Sequence, residues 1–137
     1  MERLIVDTGV LVALERGRLS PDALPDDADI AIAAITASEL LVGVQLADGQ
    51  RRETRAATVD AILGTFEILA FDLDIAREHA VLLAHARRTG RPRGAHDLQI
   101  AATASATGRL VVTTDQRAFD DLPGVRFRLG TAPSIRG

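Results

Sequence analysis

Leu4-Ile5-Val6-Asp7-Thr8-Gly9 lies near the start of the chain, and Leu110-Val111-Val112-Thr113-Thr114-Asp115 repeats its plan near the other end. Each begins as a short apolar run without alternation, the pattern of a strand buried on both faces in a parallel sheet. Each run then gives way to an acid. Open α/β sheets place their ligands beyond the carboxyl ends of the strands, so Asp7 and Asp115 are expected at one edge. Glu39 and Asp97 stand on helical patterns that follow strands or loops, which brings them to the same edge. Four gathered carboxylates oppose one another's ionisation. A divalent metal ion is the simplest counter-charge.

Outward from these two stretches, the pattern alternates between strands and helices. Residues 3–6, 30–34, 68–71, 110–112 and 125–127 read as strands, and residues 9–16, 50–64 and 73–88 as helices. Thr36 or Ser38 is expected to cap a helix with Glu39 in its first turn. Asp48-Gly49 ends that helix, and residues 89–94 form a loop before an alanine-rich helix that runs to about Thr107. The order β-α-β-α-α-β-α-α-β-α-β predicts an α/β fold with a mainly parallel central sheet flanked by helices. With 137 residues, one domain over residues 1–137 is expected.

Composition narrows the chemistry. The chain has no cysteine, so disulfides, thiolate zinc sites and cysteine nucleophiles are excluded. An all-oxygen donor set favours Mg²⁺, with Mn²⁺ as the second choice. All 16 basic residues are arginine, so no lysine can form a Schiff base or serve a P-loop. The net charge of −3 argues against a broadly basic nucleic-acid-binding surface, and leaves local clusters to be weighed. Arg87, Arg88, Arg91 and Arg93 form one such cluster leading into the Asp97 helix; they suit RNA phosphates or a solvated loop. Phe66, Phe71 and Phe127 sit in strand-like contexts and are expected in the core. The first strand begins within three residues and no apolar run approaches membrane-spanning length, so a cytoplasmic protein without membrane association is expected.

Asp7-Thr8 after the first strand, Ser38-Glu39-Leu40, His96-Asp97-Leu98-Gln99-Ile100-Ala101-Ala102 and Thr113-Thr114-Asp115 together resemble the acidic motifs of PIN-domain ribonucleases. The short chain is similar in particular to VapC-type toxins of bacterial type II toxin–antitoxin systems. The resemblance covers residues 4 to about 128. It implies magnesium-dependent endoribonuclease activity, with Asp7, Glu39, Asp97 and Asp115 as the catalytic quartet. Asp7 and Asp97 would be metal ligands, and Glu39 and Asp115 would bind a second metal or orient water. It also implies an RNA substrate, a cognate small antitoxin, and a homodimer or toxin–antitoxin hetero-oligomer. Gly9 departs from the serine or asparagine of many relatives, and the Thr113 or Thr114 hydroxyl is expected to supply the missing polar support.

Each acid also has a plainer reading. Glu39 and Asp97 complement a helix dipole, and Asp115 suits an Asx turn or N-cap, a role compatible with catalysis. Asp120 and Asp121 read as turn acids, and His96 as a packing or capping residue, since neighbours along a helix do not share a face. A phosphorylation-dependent receiver module would need a lysine that this chain lacks. An aspartyl phosphatase would need an acid where Gly9 stands. A non-catalytic PIN-like interaction domain is the remaining alternative, separated from an enzyme by metal-dependent turnover of RNA.

Overall fold

The computed structural model describes residues 1–133; residues 134–137 of the expected domain lie outside the described residues. The strands are β1 (Arg3–Val6), β2 (Asp29–Ala33), β3 (Glu67–Leu69), β4 (Leu110–Thr113) and β5 (Phe127–Leu129). The helices are α1 (Thr8–Glu15), α2 (Ala34–Leu46), α3 (Gly49–Thr65), α4 (Leu73–Arg88), α5 (Ala95–Thr107) and α6 (Gln116–Phe119). The sheet runs β3-β2-β1-β4-β5 and every pairing is parallel, so the expected mainly parallel sheet is wholly parallel among the described residues.

The strand order turns around at β1. The chain builds outward through β2 and β3, then crosses to β4 and β5 on the other side. The crevice between β1 and β4 is therefore the switch point where α/β sheets bind ligands. Leu4, Ile5 and Val6 pair with Leu110, Val111 and Val112, and both strands are buried on both faces. Leu4 and Val6 join Val10, Leu11 and Ile32 in one core, while Ile5 joins Ile75, Leu82, Leu98, Ile100 and Phe119 in the other. This two-sided burial is why the runs lack polar alternation.

Local departures from the expected pattern have local causes. α2 begins at Ala34 directly after β2, with Ala33 at the N-cap and no side-chain cap, so neither Thr36 nor Ser38 caps it. Thr36 is instead fully buried, and Glu39 lies in the second turn. β5 starts later than expected because Val125 N donates to Leu122 O, closing a turn through Pro123-Gly124 with Gly124 at φ 74°. β3 ends before Phe71, which is exposed on the approach to α4 and meets the His79 ring edge-on at 5.7 Å. Phe66 and Phe127 pack against the two cores. Among the described residues no helix is long and apolar enough to cross a membrane.

Arg109, almost fully buried just before β4, ties the amino edge of the sheet together. Its Nη1 donates to Leu4 O at 3.1 Å, Asp29 O at 2.9 Å and Asp29 Oδ1 at 3.1 Å, and Nη2 lies 3.6 Å from Glu67 Oε2. One guanidinium thus joins the starts of β1, β2 and β3 to β4. Hydrogen bonding to Arg109 holds the Asp29 carboxyl below its ordinary value. A lowered folded-state pKa stabilises above the unfolded value and is lost as pH falls through the folded one. Acid unfolding below about pH 4 should therefore be shallower in Asp29→Asn than in the parent. Arg109→Ala should lower unfolding free energy by about 3 kcal/mol in denaturant titration, since it strands buried carbonyls and removes packing.

Candidate active site

Asp7 stands one residue past the last paired rung of β1 and caps α1. Its Oδ1 accepts from Val10 N at 2.9 Å, and its Oδ2 accepts from Thr113 Oγ1 at 2.5 Å. Asp7 is only 7% exposed. Thr113 Oγ1 also accepts from Asp115 N at 3.0 Å, so one hydroxyl organises two acids. Asp115 in turn caps α6 through Arg117 N at 3.1 Å. The polar support expected from Thr113 or Thr114 toward Asp7 comes from Thr113; Thr114 is exposed. A Cβ on Gly9 would lie 3.6 Å from Asp7 Oδ1 and 3.8 Å from Thr114 Oγ1, ordinary contact distances, so a serine fits there.

Glu39 reaches the same edge from α2. Its Oε1 accepts from Thr8 Oγ1 at 3.0 Å, and its Oε2 lies 3.3 Å from His96 Nδ1. His96 thus has a partner across the site, which the expected packing or capping role did not include. Asp97 lies in the first turn of α5, whose N-cap is Gly94. A Cβ on Gly94 would stand 2.8 Å from Asp97 Oδ2, so the carboxylate folds over space that only glycine leaves open. Thr8, His96 and Gly94 were not among the residues assigned to the site from sequence. Thr8 and His96 directly adjoin Asp7 and Asp97 in the quoted motifs, which was the signal that could have found them.

Electrostatics link the four acids. Burial raises the Asp7 pKa despite the hydrogen bonds from Thr113 and Val10, and the charges of Asp115 and Glu39 raise it further. Burial also raises that of Asp97, with Asp7, Asp115 and Glu39 adding to the rise and His96 opposing it. Such a cluster brings like charges together in a partly dry crevice. Among the described residues no three acidic or imidazole groups close into a cage.

The arginine cluster divides. Arg91 Nη2 lies 2.6 Å from Asp120 Oδ1; Arg93, its side chain 3% exposed, donates to Ala118 O at 3.2 Å and approaches Asp120 at 3.9 Å. These two brace the loop against α6. Arg87 and Arg88 are exposed on the last turn of α4. Asp120, read as a turn acid, is the partner of both braced arginines.

The all-parallel sheet with its acids at the switch point defines an α/β domain with an acidic carboxyl edge. The PIN domain family matches residues 4–125. Ribonuclease VapC of Rickettsia bellii is 30% identical over 88% of this chain and 90% of its own length. Ribonuclease VapC5 of Mycobacterium tuberculosis is 38% identical over 81% and 82%. The crystal structure of VapBC-5 from Mycobacterium tuberculosis, a member of the VapBC family of toxin–antitoxin systems, superposes with a TM-score of 0.77 at 33% identity, covering 93% of this chain and 98% of that one. The chain belongs to the PIN-domain family, among the VapC ribonucleases. Such ribonucleases generally depend on a divalent metal.

Two substitutions probe this geometry without any assay of turnover. Thr113→Val, similar in shape, should cost about 1–3 kcal/mol because it leaves an oxygen of buried Asp7 without its donor. Asp97→Asn should raise the melting temperature in chelator at neutral pH. The raised folded-state pKa of Asp97 means that its ionisation costs stability as pH climbs above the unfolded value. The gain should therefore fade below about pH 4, where the parent carboxyl is also neutral. Thermal melts across pH check both.

Proposed function

We infer that this chain is an endoribonuclease toxin of a toxin–antitoxin pair, acting in the cytoplasm with Mg²⁺ or, as a substitute, Mn²⁺. The observation that carries this reading is the convergence of Asp7, Glu39, Asp97 and Asp115 at the sheet's switch point in a member of the PIN-domain family. The reaction is hydrolysis. A water oxygen forms a bond to phosphorus, the bond to the leaving ribose oxygen breaks, and one proton moves from water to the leaving side. A bound divalent ion neutralises phosphate charge and lowers the pKa of water.

The side chains divide the remaining tasks. Asp7, its carboxylate immobilised by Thr113 and the start of α1, and Asp97, folded over Gly94, are the metal ligands. Glu39, oriented by Thr8 and His96, accepts hydrogen bonds from the attacking water. Asp115, its amide donating to the Thr113 hydroxyl and its carboxylate accepting from the Arg117 amide, serves the leaving side or a second ion. Arg87 and Arg88 are the members of their cluster free to meet RNA phosphates. Arg91 and Arg93 act indirectly, by bracing the loop that leads to Asp97.

Asp7→Asn and Asp97→Asn should each abolish Mg²⁺-dependent cleavage of RNA while the far-ultraviolet circular dichroism is retained. Near-normal turnover in both at limiting metal would remove the assignment, and a parent protein unable to cleave RNA would favour a non-catalytic interaction domain. The VapBC-5 structure supports a small antitoxin as partner, and covering the acidic crevice is how it would restrain the enzyme. Hydrogen exchange should then slow around Glu39 and Asp97 when the adjacent-encoded antitoxin is bound, with cleavage suppressed in the same preparation. Tight binding with undiminished cleavage and no protection would place restraint elsewhere.

A further inference from the structure

A groove of about 520 Å³ runs between α1, α2 and α3, and its near end is formed by Thr8 and Glu39 of the acidic site. Val12, Leu40, Val59 and Ile62 contribute its apolar floor. Arg51 and Arg55 line it from α3, both exposed and one helical turn apart, which points them along the same face. Among the described residues neither forms a salt bridge, unlike Arg91, Arg93 and Arg109. Arg55 is nevertheless positioned. It lies across α2 at Gly43, where a Cβ would stand 3.3 Å from its Nη1 and 3.5 Å from its Cδ. Gly43 therefore leaves the space in which this guanidinium rests.

We propose that this groove holds the RNA strand on one side of the scissile bond, with Arg51 and Arg55 gripping successive phosphates. The proposal rests on the ribonuclease reading above and names the substrate subsite that extends the acidic centre. Three features favour a nucleic-acid strand over a peptide. The groove opens onto the acids themselves, so a strand crossing them needs a continuation. Its two free guanidiniums recur at one helical turn, close to the spacing of phosphates along a strand, and planar guanidinium forks suit phosphate. Gln50 and Thr54, beside the arginines, add donors for ribose and base edges. Two phosphate contacts also offset the repulsion that Glu15 and Glu39, the two acids lining the groove, impose on the substrate.

The test uses the whole protein, Mg²⁺ and a mixed-sequence pool of single-stranded RNA labelled with fluorescein. Arg51→Gln/Arg55→Gln should raise KM for cleavage by about tenfold or more while kcat stays within about twofold, the pattern of lost uniform binding. The salt dependence of kcat/KM on a double-logarithmic plot should flatten by about 1.4, two phosphates at about 0.7 each for a single strand. Arg51→Lys/Arg55→Lys should keep most of that slope. Arg52→Gln removes one charge from the same helix outside the groove, where Arg52 instead bonds Gln45, and should leave KM unchanged. Unchanged KM and slope in the double glutamine variant would overturn the proposal, and so would an equal loss in Arg52→Gln. If that double variant weakens only the antitoxin, the groove belongs to a protein partner and the proposal is likewise overturned. Should the parent fail to cleave RNA with added metal, the ribonuclease reading falls by itself. Fluorescence anisotropy of the same RNA over a salt series then decides the groove: a slope unchanged by the glutamine variant overturns it, and a flattened one supports it.

Discussion

The hydrogen bond from Thr113 to Asp7 joins the two central strands one position beyond their last paired rung. Everything at the carboxyl edge is arranged around it. Asp7 loses solvation there, and two donors offset part of that loss: the Thr113 hydroxyl and the Val10 amide at the start of α1. The same hydroxyl accepts from the Asp115 amide, so the loop after β4 is fixed to the end of β1. A carboxylate on a flexible loop would move away from its neighbours. Held this way, Asp7 stays where burial raises its pKa and the charges of Asp115 and Glu39 add to the rise. The site therefore stores unfavourable charge that a cation can relieve.

The two edges of the sheet solve opposite problems. At the amino edge Arg109 brings a positive charge into the protein and matches it with backbone carbonyls and the carboxylates of Asp29 and Glu67. Its charge is satisfied within the fold, and its work is structural. At the carboxyl edge Asp7, Glu39, Asp97 and Asp115 bring like charges together, and among the described residues none of the four forms a salt bridge to an arginine. Stability is invested at one end of β1 and withheld at the other, with only the four residues of the strand between them. Such a division is common where a binding site needs attraction that the folded chain has not already used.

Arginine serves both ends of this arrangement because it is the chain's only strongly basic residue type. Arg109 is buried, Arg91 and Arg93 hold Asp120 and the α6 backbone, and Arg55 rests against Gly43 beside a groove. Identical side chains thus take different roles according to what they face. Neighbouring positions in the sequence are a poor guide here: Arg87 and Arg93 read as one cluster, yet one is exposed and the other nearly covered.

The parallel α/β architecture was legible in the apolar runs at residues 4–6 and 110–112, because burial on both faces removes alternation and leaves a continuous signal. The acids that follow them were legible for a similar reason, since strand ends of a parallel sheet share one edge. Less regular features were not. The start of α2 lacks any side-chain cap, so Thr36 and Ser38 suggested a boundary three or five residues late. Phe71 is apolar but lies past the end of its strand, where no sheet covers it. The sequence by itself determined the order of elements and which acids emerge at the carboxyl edge, through local periodicity and strand polarity. Only the tertiary structure decided that Thr113 would hold Asp7, that His96 would meet Glu39, and that Arg93 would be spent on Asp120 and Ala118. Those contacts join residues far apart in the chain, and their geometry depends on how helices settle on the sheet, which no local pattern encodes.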